Sequence, residues 1–145
     1  MSSTTLILDT NVLLACIRGG ALGTRIITQY NLKSNAFDSL ICVVSVGELY
    51  ALEKRLNWGS DRVNAMKALL ASLVVVDINS EPVLTAYAEI DQFSDGKGRR
   101  MGKNDVWIAA VAKVTGASLL TTDKDFDHLD KKHISRIWID PILGK

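Results

Sequence analysis

Five short apolar segments, separated by longer segments of mixed character, make up the hydrophobic pattern of this chain. Most of the short segments are continuous rather than alternating, as expected for strands that are buried on both faces of a parallel sheet. They are Leu6–Leu8, Leu40–Ser45, Leu73–Ile78, Ala117–Thr121 and Ile134–Ile139. Strands that alternate with helices predict an α/β fold, with a mostly parallel central sheet of about five strands and helices on both faces.

The longer segments carry the apolar spacing and the end signals of helices. The predicted helices are Asn11–Arg18, Val46–Leu56, Asp61–Ser72, Glu81–Phe93 and Asp105–Thr115. Ser60 and Ser80 are suitable N-caps, Pro82 fits the first turn of its helix, and Gly116 is a suitable C-terminal stop. The longest stretch without a pattern is Ser94–Lys103, and loops of this length in compact domains are often functional.

The composition is that of one ordinary globular domain, and we expect it to span residues 1–145. Hydrophobic residues make up 48% of the chain and charged residues 23%. Apolar stretches fall short of the roughly 20 residues that cross a bilayer, and the N-terminus lacks a secretory pattern. We therefore expect a cytoplasmic protein without a membrane segment. Cys16 and Cys42 lack CxxC spacing, which favours buried free thiols over a disulfide.

Four acidic residues stand just after apolar segments or at the start of predicted helices. They are Asp9, Glu48, Asp105 and Asp123. The carboxyl ends of parallel strands share one edge of the sheet, so we expect these acids to converge there. Converging carboxylates repel one another unless a cation lies among them, and oxygen ligands suit Mg²⁺ or Mn²⁺. The pattern therefore points to metal-assisted chemistry on a phosphate substrate.

Helical spacing places Glu48 on the inward face of its helix, whereas Lys54 and Arg55 are predicted to point elsewhere. The other residues of that inward stripe are Ser45, Leu49, Leu52 and Leu56. A carboxylate on a core face costs on the order of several kcal/mol unless something compensates it. Asp105 lies in the first turn of its helix, where the helix dipole favours an anion.

Each acid taken alone has an ordinary structural explanation. Asp9 and Asp105 could serve the starts of helices, Glu48 could form a buried salt bridge, and Asp123 could belong to a solvated acidic turn. The combination favours a functional site, because four unrelated structural roles would otherwise have to place acids at one edge by chance.

Four cations lie just upstream of Asp105 in a segment that contains glycine, although the net charge of the chain is only +1. They are Lys97, Arg99, Arg100 and Lys103. A positive loop beside a negative cluster could hold a polyanion against a metal, so these are candidate residues for binding a polyanionic substrate. The alternative is that the loop is simply solvated or contacts a protein partner.

Other reactive or aromatic residues are predicted to be structural. His128 and His133 lie in a charged turn without metal-ligand spacing, which favours surface positions. Trp58 follows a helix in a polar context, so we expect it to be exposed and available to an interface. The stretch Gly19–Gly23 is not GxGxxG and follows no strand, which argues against a Rossmann cofactor site.

Four segments carry the acids, namely Leu8–Leu13 (LDTNVL), Ser45–Leu49 (SVGEL), Gly102–Ala110 (GKNDVWIAA) and Leu120–Phe126 (LTTDKDF). In this order and spacing they resemble the four motifs of the PIN domain. Within that family they resemble the VapC-type ribonuclease toxins of bacterial and archaeal toxin–antitoxin pairs. The resemblance runs from Leu6 to about Ile139, and its strength lies in the ordered set rather than in any single motif.

The resemblance implies a metal-dependent endoribonuclease that hydrolyses RNA phosphodiesters and leaves 3′-hydroxyl and 5′-phosphate ends. Asp9, Glu48, Asp105 and Asp123 would ligate one or two Mg²⁺ or Mn²⁺ ions, with help from Asp125. Asn11 and Thr121 would orient the acids or a bound water. The resemblance also implies a homodimer that is held inactive by a small antitoxin, whose tail occupies the acidic groove.

Two other classes of function stay open from the sequence. One is a PIN-like domain that binds RNA or a protein partner without cleaving, although the four intact acids count against it. The other is a different aspartate-based α/β protein. A HAD-type phosphatase needs a second aspartate where Asn11 stands, and a receiver domain needs paired acids after the first strand and a lysine after the last, which are not evident.

Overall fold

A single sheet of five parallel strands supports the protein, in the order β3-β2-β1-β4-β5. The strands are β1 (Leu6–Leu8), β2 (Ser39–Cys42), β3 (Val74–Val76), β4 (Ser118–Thr121) and β5 (Ser135–Trp138). These positions come from a computed structural model, which describes residues 5–32 and 39–142. The predicted parallel α/β sheet is confirmed.

Helices cover both faces of the sheet. They are α1 (Thr10–Arg18), α2 (Ala21–Gln29), α3 (Val43–Arg55), α4 (Ser60–Ala71), α5 (Glu81–Gly96) and α6 (Lys103–Thr115), followed by a 3₁₀ helix at Lys124–Leu129. Strand β1 lies at the centre, and its alternate side chains enter different cores. Ile7 packs with α5 and α6, whereas Leu6 and Leu8 pack with α1, α2 and α4. Two apolar cores therefore pack against opposite faces of β1, the strand that ends just before Asp9.

The largest differences from the pattern-based prediction are at the junction of β2 with α3 and at α2. Strand β2 ends at Cys42 and α3 begins at Val43, so the predicted extension of the strand to Ser45 is wrong. A continuous apolar run does not by itself separate a strand from a buried helical turn. Helix α2 was not predicted, because glycine and β-branched residues are poor helix formers. It forms because Gly23 and Ile26 are buried against the rest of the fold.

The predicted helix-end signals at Ser80 and Gly116 are confirmed, whereas several other predicted helix ends are wrong. Ser80 caps α5 by accepting a hydrogen bond from the Val83 N–H (3.4 Å), and Gly116 ends α6 in the left-handed conformation (φ 71°). The cap of α4, however, is Gly59 rather than Ser60. Helix α5 extends to Gly96, so the unpatterned loop is shorter than predicted.

The expectation of strands buried on both faces is wrong for β3. Val74 is 46% exposed and Val75 48%, because β3 is the edge strand and pairs only with β2. Cys16 and Cys42 are buried free thiols, as predicted, and burial raises the pKa of Cys16 to about 11. None of the helices in the described ranges is long and apolar enough to cross a membrane.

The close approach of α2 to α1 depends on Gly23, and we expect Gly23→Ala to destabilise the protein. A Cβ atom at this position would lie 2.1 Å from the backbone oxygen of Ala15, so the two helices would have to separate. We expect a loss of about 1–3 kcal/mol in the free energy of unfolding, measured by urea titration.

Gly47→Ala in α3 is the matched control, because a Cβ there meets no atom within 4 Å. It should leave stability unchanged or raise it by up to about 1 kcal/mol. A Gly23→Ala protein as stable as the wild type would contradict the packing of α1 against α2.

Candidate active site

The two central strands bring Asp9 and Asp123 to one edge of the sheet. Asp9 follows β1, and its N–H donates to the Leu120 carbonyl of β4 (3.0 Å). Asp123 stands two residues after β4 and caps the 3₁₀ helix. Glu48 reaches the same edge from α3, and Asp105 reaches it from the first turn of α6. The structure thus brings the four predicted acids into one electrostatic neighbourhood.

The Asp9 carboxylate is buried and held by two hydrogen bonds. Its Oδ1 accepts from the Thr10 N–H (2.8 Å), and its Oδ2 accepts from the Thr121 hydroxyl (2.7 Å). The Thr121 oxygen in turn accepts from the Asp123 N–H (2.9 Å). Burial nevertheless raises the pKa of Asp9 to about 6, and the charges of Asp123 and Glu48 add to this shift. Thr121 is therefore placed to orient two of the predicted acids.

Neutral groups, rather than a cation, hold Glu48. Its Oε1 accepts from the Thr10 hydroxyl (2.6 Å), and its Oε2 accepts from the Asn104 amide (3.2 Å). The Thr10 hydroxyl also lies 2.8 Å from the buried Ser45 hydroxyl. Glu48 forms no ion pair with the residues that the structure describes, so the buried salt bridge considered from the sequence does not account for it.

Three carboxylates form the tightest group at this edge. Asp105, Asp123 and Asp125 each offer an oxygen, and these atoms lie within 4.8 Å of one another. The Asp125 N–H donates to Asp123 Oδ1 (2.9 Å), which fixes the turn between them. Burial, followed by the charges of neighbouring acids, raises the pKa of Asp105 to about 7. A set of carboxylate oxygens with unrelieved repulsion fits a hard divalent cation such as Mg²⁺ or Mn²⁺.

A cleft of about 480 Å³ opens beside this group between α1, α3 and the start of α6. Asn11 is exposed in its wall, close to Asp9, Glu48 and Asp105. Arg55 also lines the cleft, so the prediction that it points away from Glu48 is wrong. The two residues are seven positions apart, which is nearly two helical turns and therefore one face of α3.

Residues 6–132 match the PIN domain family. The chain belongs to that family. DNA-bound VapBC from Salmonella typhimurium has a similar structure, with a TM-score of 0.74 and 21% identity over 93% of this chain and 98% of that one. FitAcB from Neisseria gonorrhoeae gives a TM-score of 0.73 and 22% identity over 91% and 96% of the two chains.

A third similar structure is VapBC-5 from Mycobacterium tuberculosis, a member of the VapBC family of toxin–antitoxin systems. Its TM-score is 0.67, with 21% identity over 94% of this chain and all (100%) of that one. At these identities the likeness shows a shared fold. No functionally curated protein matches the sequence.

The cations of the predicted RNA-binding loop of this PIN domain make separate contacts. Arg99 donates to the Lys124 carbonyl (3.5 Å), between Asp123 and Asp125. Arg100 instead pairs with Asp95 (3.6 Å) in an exposed ion pair. The other two cations lie apart, since the Lys97 ammonium is 5.4 Å from the centre of the Phe93 ring and Lys103 begins α6.

The histidines and Trp58 are more buried than their sequence context predicted. His128 lies 2.7 Å from the Ser94 hydroxyl, and His133 lies 2.8 Å from the Lys113 ammonium. Both rings pack around Phe93, and partial burial lowers the pKa of both histidines. Trp58 is half-buried against the core of α1, α2 and α4. Packing against residues distant in the chain partly buries these side chains, although their neighbours in the sequence are polar.

The sequence analysis did not single out Thr10, Ser45, Asn104 or Arg55 as site residues. Thr10 and Asn104 each adjoin a predicted acid in the chain, so proximity to the motifs was an available signal. Arg55 could have been found from its seven-residue spacing to Glu48. Ser45 was placed on the inward stripe, but its contact with Thr10 is a tertiary feature that the sequence does not show.

Replacing Asp105 by asparagine should stabilise the metal-free protein, because it removes a charge from a repulsive group. We expect a gain of about 0.5–1 kcal/mol, limited by solvent screening of the half-exposed side chain. The wild type should gain stability when Mn²⁺ is added and the variant should gain less, since an ion that binds only the folded state shifts unfolding by mass action. Thermal melts with EDTA and with Mn²⁺ measure both effects.

Asp91 is exposed on α5, so Asp91→Asn is the charge-matched control. Its melting temperature should equal that of the wild type, both in EDTA and in Mn²⁺. A destabilised metal-free Asp105→Asn, together with a wild type that does not respond to Mn²⁺, would exclude a metal cluster here.

The gain in stability of Asp105→Asn over the metal-free wild type should increase with pH. The pKa of Asp105 rises from 3.8 to about 7 on folding. Between these values the folded state keeps a proton that the unfolded chain loses, so this group destabilises the fold increasingly as the pH rises. The difference in melting temperature between variant and wild type in EDTA should thus be near zero at pH 4 and largest at pH 8. A difference that grows towards acid pH would contradict the raised pKa.

Proposed function

We propose that this PIN domain is a metal-dependent endoribonuclease and the toxin component of a toxin–antitoxin pair. The observation that carries the proposal is that five carboxylates meet beside an open cleft, namely those of Asp9, Glu48, Asp105, Asp123 and Asp125. None of the five forms an ion pair with a residue that the structure describes. Membership of the family supports a nuclease. VapBC-5, a structure of similar fold from a toxin–antitoxin system, supports an antitoxin as partner.

The proposed mechanism gives each of these side chains a task. Asp105, Asp123 and Asp125 would hold Mg²⁺ or Mn²⁺, with Asp9 and Glu48 on the neighbouring wall. When bound, such an ion lowers the pKa of a water molecule and offsets charge on the phosphorane-like transition state.

The groups around the acids keep them in place. Thr121 orients Asp9, while Thr10 and Asn104 orient Glu48. Asn11, exposed in the cleft wall, is placed to contact water or a phosphate oxygen. The products would be 3′-hydroxyl and 5′-phosphate ends.

The assembly is also part of the proposal. We expect a homodimer in the cytoplasm, inhibited by an antitoxin segment that reaches the acidic cleft. A PIN domain that binds RNA or a protein without cleaving is less well supported, because every acid that the family motif places at the site is present in this chain.

Mg²⁺ or Mn²⁺ should support cleavage of structured RNA and EDTA should abolish it, because the candidate ligands are all oxygens. Asp9→Asn should be inactive, and Asp91→Asn, far from the cleft, should retain wild-type activity. Gel analysis of labelled RNA, beside a p-nitrophenyl phosphate assay, separates a nuclease from a phosphatase. Wild-type cleavage in excess EDTA, with Asp9→Asn inactive, would rule out the metal mechanism.

Among the loop cations, Arg99 contacts the turn that carries Asp123 and Asp125, and Lys103 lies two residues before Asp105 in the chain, so we expect these two to bind RNA phosphates. The double variant Arg99→Gln/Lys103→Gln should weaken RNA binding and flatten its log–log salt dependence by about 1–2 units. The exposed pair Lys54→Gln/Lys67→Gln serves as the charge-matched control. Equal affinities and slopes for the two double variants, measured by fluorescence anisotropy, would assign the loop cations to solvent or to a protein partner.

A further inference from the structure

Arg55 is a cation in the wall of an otherwise acidic cleft. Among the described residues that line this cleft it is the single positive side chain, whereas Asp9, Glu48 and Asp105 carry the opposite sign. Its side chain is exposed, and it forms no ion pair with an acidic residue in the ranges 5–32 and 39–142. The guanidinium is therefore not engaged in neutralising the acids beside it.

The distance along α3 from Glu48 to Arg55 suits a polymeric substrate. Seven residues of α-helix span about 10 Å, and an arginine side chain adds several ångströms of reach. A phosphate beside the acids and a phosphate beside Arg55 would thus belong to nearby nucleotides of one strand rather than to the same group. Guanidinium binds phosphate through paired hydrogen bonds, which favours arginine for this task.

The surface beyond Arg55 leaves room for the strand to continue. A second hollow of about 600 Å³ begins at Leu56, the next residue, and its lining includes Trp58, two cations (Arg18 and Arg62) and one acid (Asp61). The Arg62 guanidinium lies 6.0 Å from the centre of the Trp58 ring. Cations beside an aromatic ring are the usual surface for single-stranded nucleic acid, in which phosphates and unpaired bases are both accessible.

We propose that Arg55 binds a backbone phosphate of single-stranded RNA close to the one that is cleaved, and so directs the strand along α3 towards Trp58. This inference rests on the proposed ribonuclease function and adds a substrate-binding residue to it. A purely structural explanation is that the positive charge of Arg55 stabilises α3, because it lies at the negative, C-terminal end of the helix dipole. Lys54 lies in the same last turn and shares that role, but it does not line the cleft.

The test compares Arg55→Gln with Lys54→Gln, which remove the same charge from adjacent positions. Both are placed in the Asp9→Asn protein, so that the probe, a fluorescein-labelled 20-nucleotide single-stranded RNA of mixed sequence, stays intact. Loss of one phosphate contact should flatten the log–log salt dependence of binding by about 0.7 units, so the affinity ratio of parent to variant should fall about fivefold over a tenfold rise in salt. We expect this for Arg55→Gln and not for Lys54→Gln.

Cleavage kinetics provide a second readout in the protein with intact acids. Arg55→Gln should raise KM for long RNA more than it lowers kcat, because the contact is present before and during the reaction. Lys54→Gln should leave both constants unchanged. Equal melting temperatures for the two variants would show that the difference does not come from the stability of α3.

The outcomes separate this inference from the proposed function. If the wild type cleaves RNA and the Arg55→Gln variant matches Lys54→Gln in affinity, slope and KM, the inference is overturned and the ribonuclease stands. That result is also expected if the groove holds a protein segment instead of RNA. If the wild type does not cleave RNA with Mn²⁺, the proposed function fails, and the binding comparison still decides whether Arg55 contacts phosphate. Absence of RNA binding overturns the inference as well.

Discussion

The buried carboxylate of Asp9 is the constraint on which the rest of the site depends. It stands at the end of the central strand, where two apolar cores fix the backbone, and it accepts hydrogen bonds from Thr10 and Thr121. Those bonds only partly offset the loss of hydration, since the pKa of Asp9 stays raised at about 6. The fold therefore holds a destabilising charge in a defined position, as is common where structure serves function.

Asp9 and the other acids repel one another, because different elements bring their carboxylates close together. Helices α3 and α6 and the turn after β4 bring their carboxylates to the same edge, where burial, followed by the charges of the neighbouring acids, raises the pKa of Asp105 to about 7. Neutral donors such as Thr10 and Asn104 orient these groups without cancelling their charge. A structural ion-pair network would have cancelled it, so the arrangement is better suited to an external cation.

The positive side chains lie around this negative centre rather than inside it. Arg99 is tied to the turn that carries Asp123 and Asp125, and Arg55 lies across the cleft on α3. A phosphate chain could thus meet cations on both sides of the acids. Under the proposed function, this arrangement would let a nearly neutral protein attract a polyanion to an acidic site.

The class of fold and the four converging acids were predictable from the amino-acid sequence alone. Continuous apolar strands alternating with helices allow few arrangements other than a parallel sheet, and acids placed after Leu8 and Thr122 must then meet at its carboxyl edge. Signals of this kind can be recognised in the sequence because they depend on residues that are neighbours in the chain. The caps at Ser80 and Gly116 were predictable for the same reason.

The groups that support those acids are visible only in the folded protein. The hydrogen bonds from Thr10 to Glu48 and from Thr121 to Asp9 join residues that are 38 and 112 positions apart. Helix α2 forms against its own weak propensity because α1 offers a surface that admits Gly23. Burial, hydrogen-bond partners and the separation of charges depend on how distant segments pack, and no local pattern in the chain encodes these properties.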